Sequence, residues 1–146
     1  KKIVNQVIVE EGYFYMGAKD GRWETYDAEG LLLTKNYFER GFPAGSEIIY
    51  FDAAKQKIKE VVPFVYGKST GQYLLFYPSG NVALEGKLDD GVRVGRWREF
   101  YEFGTGGRLK KELRYGKDKF ENIEPILVQE RDEKGKITNQ TKIKFD

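Results

Sequence analysis

The sequence predicts an all-β fold: an antiparallel β-meander of repeated hairpins forming an elongated, twisted sheet. Three observations predict it. A heptad recurs four times: Gly21-Arg22-Trp23-Glu24-Thr25-Tyr26-Asp27, Gly45-Ser46-Glu47-Ile48-Ile49-Tyr50-Phe51, Gly71-Gln72-Tyr73-Leu74-Leu75-Phe76-Tyr77 and Gly95-Arg96-Trp97-Arg98-Glu99-Phe100-Tyr101. Its leading glycines lie 24, 26 and 24 residues apart, and a fixed period of this size marks a repeat array. The composition, with 10 Phe, 10 Tyr and 17 Gly in 146 residues, favours strands and tight turns over helices. Finally, each unit reads as strand, short turn, strand, short turn, which is a hairpin.

The elements follow in order. Lys1–Glu11, with Ile3, Val4, Val7, Ile8 and Val9, reads as one strand, and Tyr13–Met16 as the next, with a turn over Gly17–Gly21. The first full unit pairs strand Arg22–Asp27 with strand Leu31–Phe38 through a turn ending at Gly30, and closes at Gly41. The second has strands Ser46–Phe51 and Lys57–Val65 around a turn at Asp52–Lys55 that lacks glycine. Pro63 within it has no N–H to give a ladder, so a bulge or a sheet edge is expected there. The third unit runs Gln72–Tyr77, Pro78-Ser79-Gly80, Asn81–Leu88 and Asp89-Asp90-Gly91. In the fourth, Arg96–Phe103 passes through Gly104-Thr105-Gly106-Gly107 into Arg108–Tyr115. Lys117–Pro125 reads as a loop, and Ile126–Arg131 with Lys136–Phe145 as a last hairpin. The expected organisation is a single repeat domain over 1–146: a partial repeat as cap at 1–20, repeats at 21–44, 45–70, 71–94 and 95–118, and a hairpin cap at 119–146.

Along a strand, side chains alternate between faces. Trp23, Tyr73, Tyr77, Trp97 and Tyr101 therefore share one face, and Tyr26, Tyr50, Phe76 and Phe100 the other. The expectation is that the second column packs the scaffold while Trp23 and Trp97 present flat apolar surface, as interface anchors do.

Composition also excludes chemistries. With no Cys and no His, disulfides, thiol nucleophiles, Cys/His zinc sites and histidine general bases are ruled out. The net charge of +2 gives no bulk pull toward nucleic acid. No apolar run reaches the ~18 residues of a membrane-spanning helix. The chain opens Lys-Lys-Ile, without an initiator Met; the expected compartment is the cell envelope or periplasm if a signal peptide was removed upstream, and the cytoplasm otherwise.

On the residues Gly71, Tyr73, Phe76, Tyr77, Gly80 and Val82, then Gly95, Trp97, Phe100, Tyr101 and Leu109, the units resemble the variant MORN repeat of bacterial proteins, with a working pattern Gly-x-Trp-x-x-Tyr-Tyr-x-x-Gly-x-Leu. The first unit matches through Gly21, Trp23, Tyr26, Gly30 and Leu32 but has Asp27 at an aromatic position; the second has Glu47 at the Trp position and Ala54 at the turn glycine. The likeness spans roughly Gly12–Tyr115. It implies a β-hairpin scaffold and, since such proteins are often labelled antitoxin components of toxin–antitoxin systems, a protein partner.

Candidate chemistry is sparse. Gly104–Gly107 lacks the Lys-Ser/Thr of a phosphate-binding loop and leads into a strand, so it reads as a turn. Asp89-Asp90-Gly91 and Asp20-Gly21 read as turn carboxylates without a third metal ligand. Glu24, Glu47, Glu99 and Glu102 lie among aromatics as in a glycosidase cleft, but Lys and Arg are present to pair with them. A basic stretch from Arg93 to Lys119, including Arg96, Arg98, Lys110, Lys111 and Arg114, is suited to anionic lipid head groups. The resulting expectation is a non-catalytic scaffold, without metal or cofactor, that binds another protein through Trp23, Tyr73, Tyr77, Trp97 and Tyr101. The alternatives are a glycan or cell-envelope module stacking sugars on Trp23, Tyr73 and Trp97, and an anionic-lipid binder using the basic stretch. The expected state is a monomer or weak homodimer.

Overall fold

In the computed structural model, which describes residues 2–4, 7–52 and 57–141, every regular element is a strand. There are twelve: β1 Lys2–Val4, β2 Val7–Tyr15, β3 Ala18–Tyr26, β4 Leu32–Glu39, β5 Phe42–Asp52, β6 Lys57–Phe64, β7 Gly71–Phe76, β8 Val82–Asp89, β9 Val92–Phe100, β10 Leu109–Arg114, β11 Ile126–Arg131 and β12 Ile137–Gln140. They form one antiparallel sheet whose spatial order is their sequence order. The all-β meander of hairpins is thus the fold. The stretch expected as one strand at the start is two, β1 and β2, paired with each other. The expected turn at Asp52–Lys55 lies mostly outside the described residues, as do Lys1 and the end of the last strand beyond Thr141.

Two kinds of turn alternate. Asp27 to Leu31 closes with Asp27 N donating to Leu31 O at 2.9 Å, and the Asp27 carboxylate accepts from the Glu29 and Leu31 amides. Asp132 repeats this with Lys134 and Lys136, so the C-terminal hairpin turns like the first. The second kind has two residues, both at positive φ, as a type I′ turn requires: Met16-Gly17, Arg40-Gly41, Tyr66-Gly67 and Asp90-Gly91.

The leading glycines are not turn residues. Gly21, Gly45 and Gly95 lie inside β3, β5 and β9 at φ of 68°, 68° and 66°. There the ladder bulges: Gly12, Asn36 and Gly86 on the preceding strand each face three residues, the leading glycine, its successor and the residue at the Trp position. A left-handed bulge residue is glycine's own conformation. Gly21, expected to end a turn, is therefore part of a strand irregularity that recurs at Gly45 and Gly95, whereas Gly71 opens β7 at φ 126° without it.

The bulge decides where the tryptophans go. Trp23 and Trp97, expected on the surface, are each only 3% exposed. Each indole lies over the glycine it faces: a Cβ on Gly12 or Gly86 would fall inside the van der Waals envelope of the ring. Trp23 Nε1 donates to Tyr13 O at 3.1 Å, and Trp97 Nε1 to Lys87 O at 3.0 Å. Lys19 caps one ring and Arg93 the other, both 4.4 Å from the ring centroid; such stacking of a cation on Trp is favourable by about 0.5–2 kcal/mol. In the opposite column Tyr50 is buried, while Tyr26, Phe76 and Phe100 are only partly so. The expected exposure of Trp23 and Trp97 is thus overturned, because the indole gains a flat backbone floor that a side chain on the regular ladder does not have.

β6 is an interior strand, and its ladder to β7 is short. Only Glu60↔Leu75 and Val61↔Leu74 pair, ending two residues before Pro63. The missing proline N–H is absorbed by this irregularity rather than by an edge. The glycine-rich turn of the fourth unit packs against the last hairpin: Thr105 N donates to Glu133 O at 3.3 Å, and Gly106 leaves no room for a Cβ beside Lys134 O.

Candidate functional site

The type I′ turns lie along one long edge of the sheet. Neighbouring hairpins place them roughly 10 Å apart, two interstrand steps. Backbone bonds stitch each to the unit before it: Gly41 N to Lys19 O at 2.8 Å, Gly67 N to Pro43 O at 2.7 Å, Gly91 N to Ser69 O at 2.8 Å. Phe42 lies beneath Gly67 and Ala18 beneath Gly41. Past the fourth turn the loop continues the edge, with Lys119 N on Asp89 at 3.0 Å and Lys119 Nζ on Asp90 at 3.2 Å.

This edge is apolar and exposed. Met16 is 90% exposed and Tyr66 72%, and Tyr15, Phe42, Val65, Val92 and Phe120 stand out beside them. The first residue of a type I′ turn favours Asn, Asp or Gly, and Asp90 conforms. Met16, Arg40 and Tyr66 do not. They hold φ of 49°, 51° and 49°, a conformation that costs an ordinary side chain about 1–2 kcal/mol. Folding gains nothing obvious from Met16 or Tyr66 in return, since both side chains point to solvent. Strain carried by an exposed group is the pattern found where a surface is used.

The residues expected to bind a partner are mostly engaged within the sheet. Beside the buried Trp23 and Trp97, Tyr77 OH donates to Phe100 O at 2.6 Å and Tyr101 OH to Arg131 O at 2.8 Å, each tying its hairpin to a later one. Tyr73 OH donates to the Glu60 carboxylate, and its ring lies 5.6 Å from that of Trp97. Burial and this carboxylate push the Tyr73 phenol well above its ordinary range. Tyr26, whose OH donates to Glu24 at 2.5 Å, is raised to about 12, first by that bond and then by burial. The ring faces of Trp23 and Trp97 that would stack on a sugar are thus covered, and Tyr73 sets one side of its ring against Trp97.

The basic stretch is not one patch. Arg96, Arg98 and Arg114 pair across β9 and β10 on the face away from the indoles, whereas Arg93 covers Trp97 and Lys111 faces Glu99 and Glu130. Lys110 reaches Glu99 at 3.5 Å and stands over the Tyr101 ring. Among the described residues, no three carboxylates converge as a metal site would need. The edge residues were missed in the sequence although a signal for them was present. Four x-Gly dipeptides, Met16-Gly17, Arg40-Gly41, Tyr66-Gly67 and Asp90-Gly91, fall between apolar runs at the repeat spacing, and two carry a large apolar residue where Asn or Asp is usual.

Compared with known proteins, the chain matches no family model, no curated protein and no solved structure.

Proposed function

We propose that the chain is a non-catalytic β-repeat scaffold that binds another protein along its type I′ turn edge. The observation that carries this reading is the pair of bulky apolar residues, Met16 and Tyr66, held at positive φ and pointed into solvent. Exposed aromatics with Met are what interfaces enrich. The resemblance to variant MORN repeats supports the scaffold role and adds the antitoxin-like reading, in which the partner is a toxin.

One observation favours a second reading, an anionic lipid surface. Arg40 and Lys68 accompany the aromatic tips on the same edge, which suits an interfacial belt.

The test uses Asn, which tolerates the left-handed conformation. In the double variant Met16→Asn, Tyr66→Asn the fold should keep or slightly raise its melting temperature while the edge loses its apolar tips. Proteins captured from cell extract by the wild-type chain should be lost by this variant, and vesicles should bind neither. Capture unchanged by the double substitution would refute the edge as the docking site. Binding to anionic vesicles that the double substitution abolishes would instead select the lipid reading.

A further inference from the structure

The face away from the indoles carries one continuous cross-strand row, because antiparallel partners share a face. From β3 to β9 it reads Glu24, Lys35, Ile48, Val61, Leu74, Glu85, Arg98. Its middle is apolar, and all three apolar members are partly exposed. Its two flanks have opposite charges in opposite order. Beside the middle, at the β6–β7 gap, an open recess of about 400 Å³ is lined by Ile58, Phe76, Tyr77 and Pro78.

We infer that this face pairs with the same face of a second copy of the chain, about a two-fold axis running along β6 over Val61. Such an axis lays β5 on β7, β4 on β8 and β3 on β9 of the other copy, with each row kept at its own height. Ile48 then meets Leu74, Lys35 meets Glu85, Glu24 meets Arg98, and Val61 meets itself. Every contact off the axis occurs twice, as an isologous interface demands. The outer positions are compatible: Glu112, buried beneath Arg98 at 3.0 Å, presents Glu11 of the second copy with an ion pair rather than a bare carboxylate. In the adjoining row Arg22 approaches Arg96, and Glu24 neutralises Arg22 at 2.8 Å.

Two further observations favour a second copy over another occupant. Lys35 is partly buried yet makes no ion pair or side-chain hydrogen bond among the described residues. The accessible surface is 9740 Å², against about 7,700 Å² expected for a compact chain of this mass by size scaling. The excess of about 2,000 Å² per chain is more than the roughly 800–1,000 Å² that a stable interface takes from each partner. This pairing goes beyond the docking edge and leaves that edge free.

Charge reversal tests it. Sedimentation across a concentration series should find the wild-type chain in reversible monomer–dimer exchange. Lys35→Glu alone, or Glu85→Lys alone, sets like charges opposite each other at two places and should raise the dissociation constant roughly 100-fold. Mixing the two variants in equal amounts should restore dimers of near wild-type strength, because both contacts in the mixed pair become attractive. The double variant Lys35→Glu, Glu85→Lys should likewise recover them. Both positions lie on the sheet surface, so unfolding midpoints should stay close to wild type. A wild-type chain that remains monomeric over the whole series overturns the inference. So does a dimer indifferent to both reversals, or two variants that do not rescue each other.

Discussion

The first and second hairpins use the same bulge and fill it in different ways. In the first, Gly12 faces Gly21, Arg22 and Trp23, and the indole lies flat on the Gly12 backbone. In the second, Asn36 faces Gly45, Ser46 and Glu47, and Asn36 Nδ2 donates to Glu47 at 3.3 Å while its Oδ1 is buried without a partner. The fourth hairpin returns to the first arrangement with Gly86 and Trp97. The difference teaches that the bulge belongs to the leading glycine, whereas its filling is a paired choice across strands. Tryptophan requires glycine eleven residues earlier; a residue with a Cβ there leaves room only for a smaller, polar partner.

The largest expected effect separates the two fillings directly. Trp97→Ala removes a buried indole, its hydrogen bond and its cap, and should destabilise by about 3–5 kcal/mol. Glu47→Ala, at the matching position, should change stability by less than about 1 kcal/mol. Denaturant unfolding of both variants checks this, and similar losses would mean that the two fillings contribute alike.

Next comes the floor beneath the ring. Gly86→Ala forces the Trp97 indole off the backbone and should cost at least about 3 kcal/mol, the upper range for overpacking. Asn36→Ala already has its Cβ accommodated and should cost about 1 kcal/mol or less. A near-neutral Gly86→Ala, with the Trp emission unshifted, would show that the ring can move aside.

The comparison can also be inverted. Glu47→Trp alone should destabilise, because the indole meets the Asn36 side chain. Adding Asn36→Gly should reverse that loss and bring the variant to wild-type stability or above, with a coupling of roughly 1–3 kcal/mol between the two sites. Additive effects in the double-mutant cycle would break the pairing rule.

The smallest expected effect is alkaline. The Tyr26 phenol titrates near 12 in the fold against an ordinary value of 10.0, and Tyr73 moves in the same direction. Both therefore favour the fold in their neutral form. That contribution is complete below pH 10 and is lost as the pH rises through the folded values. Melting temperature followed from pH 8 upward should decline above about pH 10, less steeply in a Tyr26→Phe, Tyr73→Phe variant. Equal slopes would place the sensitivity elsewhere.

Much of the fold was legible because repetition is a property of spacing. The 24-to-26-residue period located the hairpins, and β-rich runs between glycines located their strands. The bulge was not legible: Gly21 read as a turn glycine, since a positive φ serves a turn and a bulge equally well and only the facing strand distinguishes them. The burial of Trp23 and Trp97 was not legible for the same reason. Alternation alone assigns Trp97 a face, but whether that face is covered depends on Gly86 across the ladder.

What the sequence determined by itself was the order of strands, their antiparallel pairing with neighbours and the absence of Cys and His chemistry, all of which follow from local pattern or composition. What the tertiary structure decided was which aromatics are buried and which turns form the exposed edge. Burial is a property of the space between strands: Trp23 and Gly12 are eleven residues apart in the chain but in contact across the sheet. No period read along a single strand carries that distance.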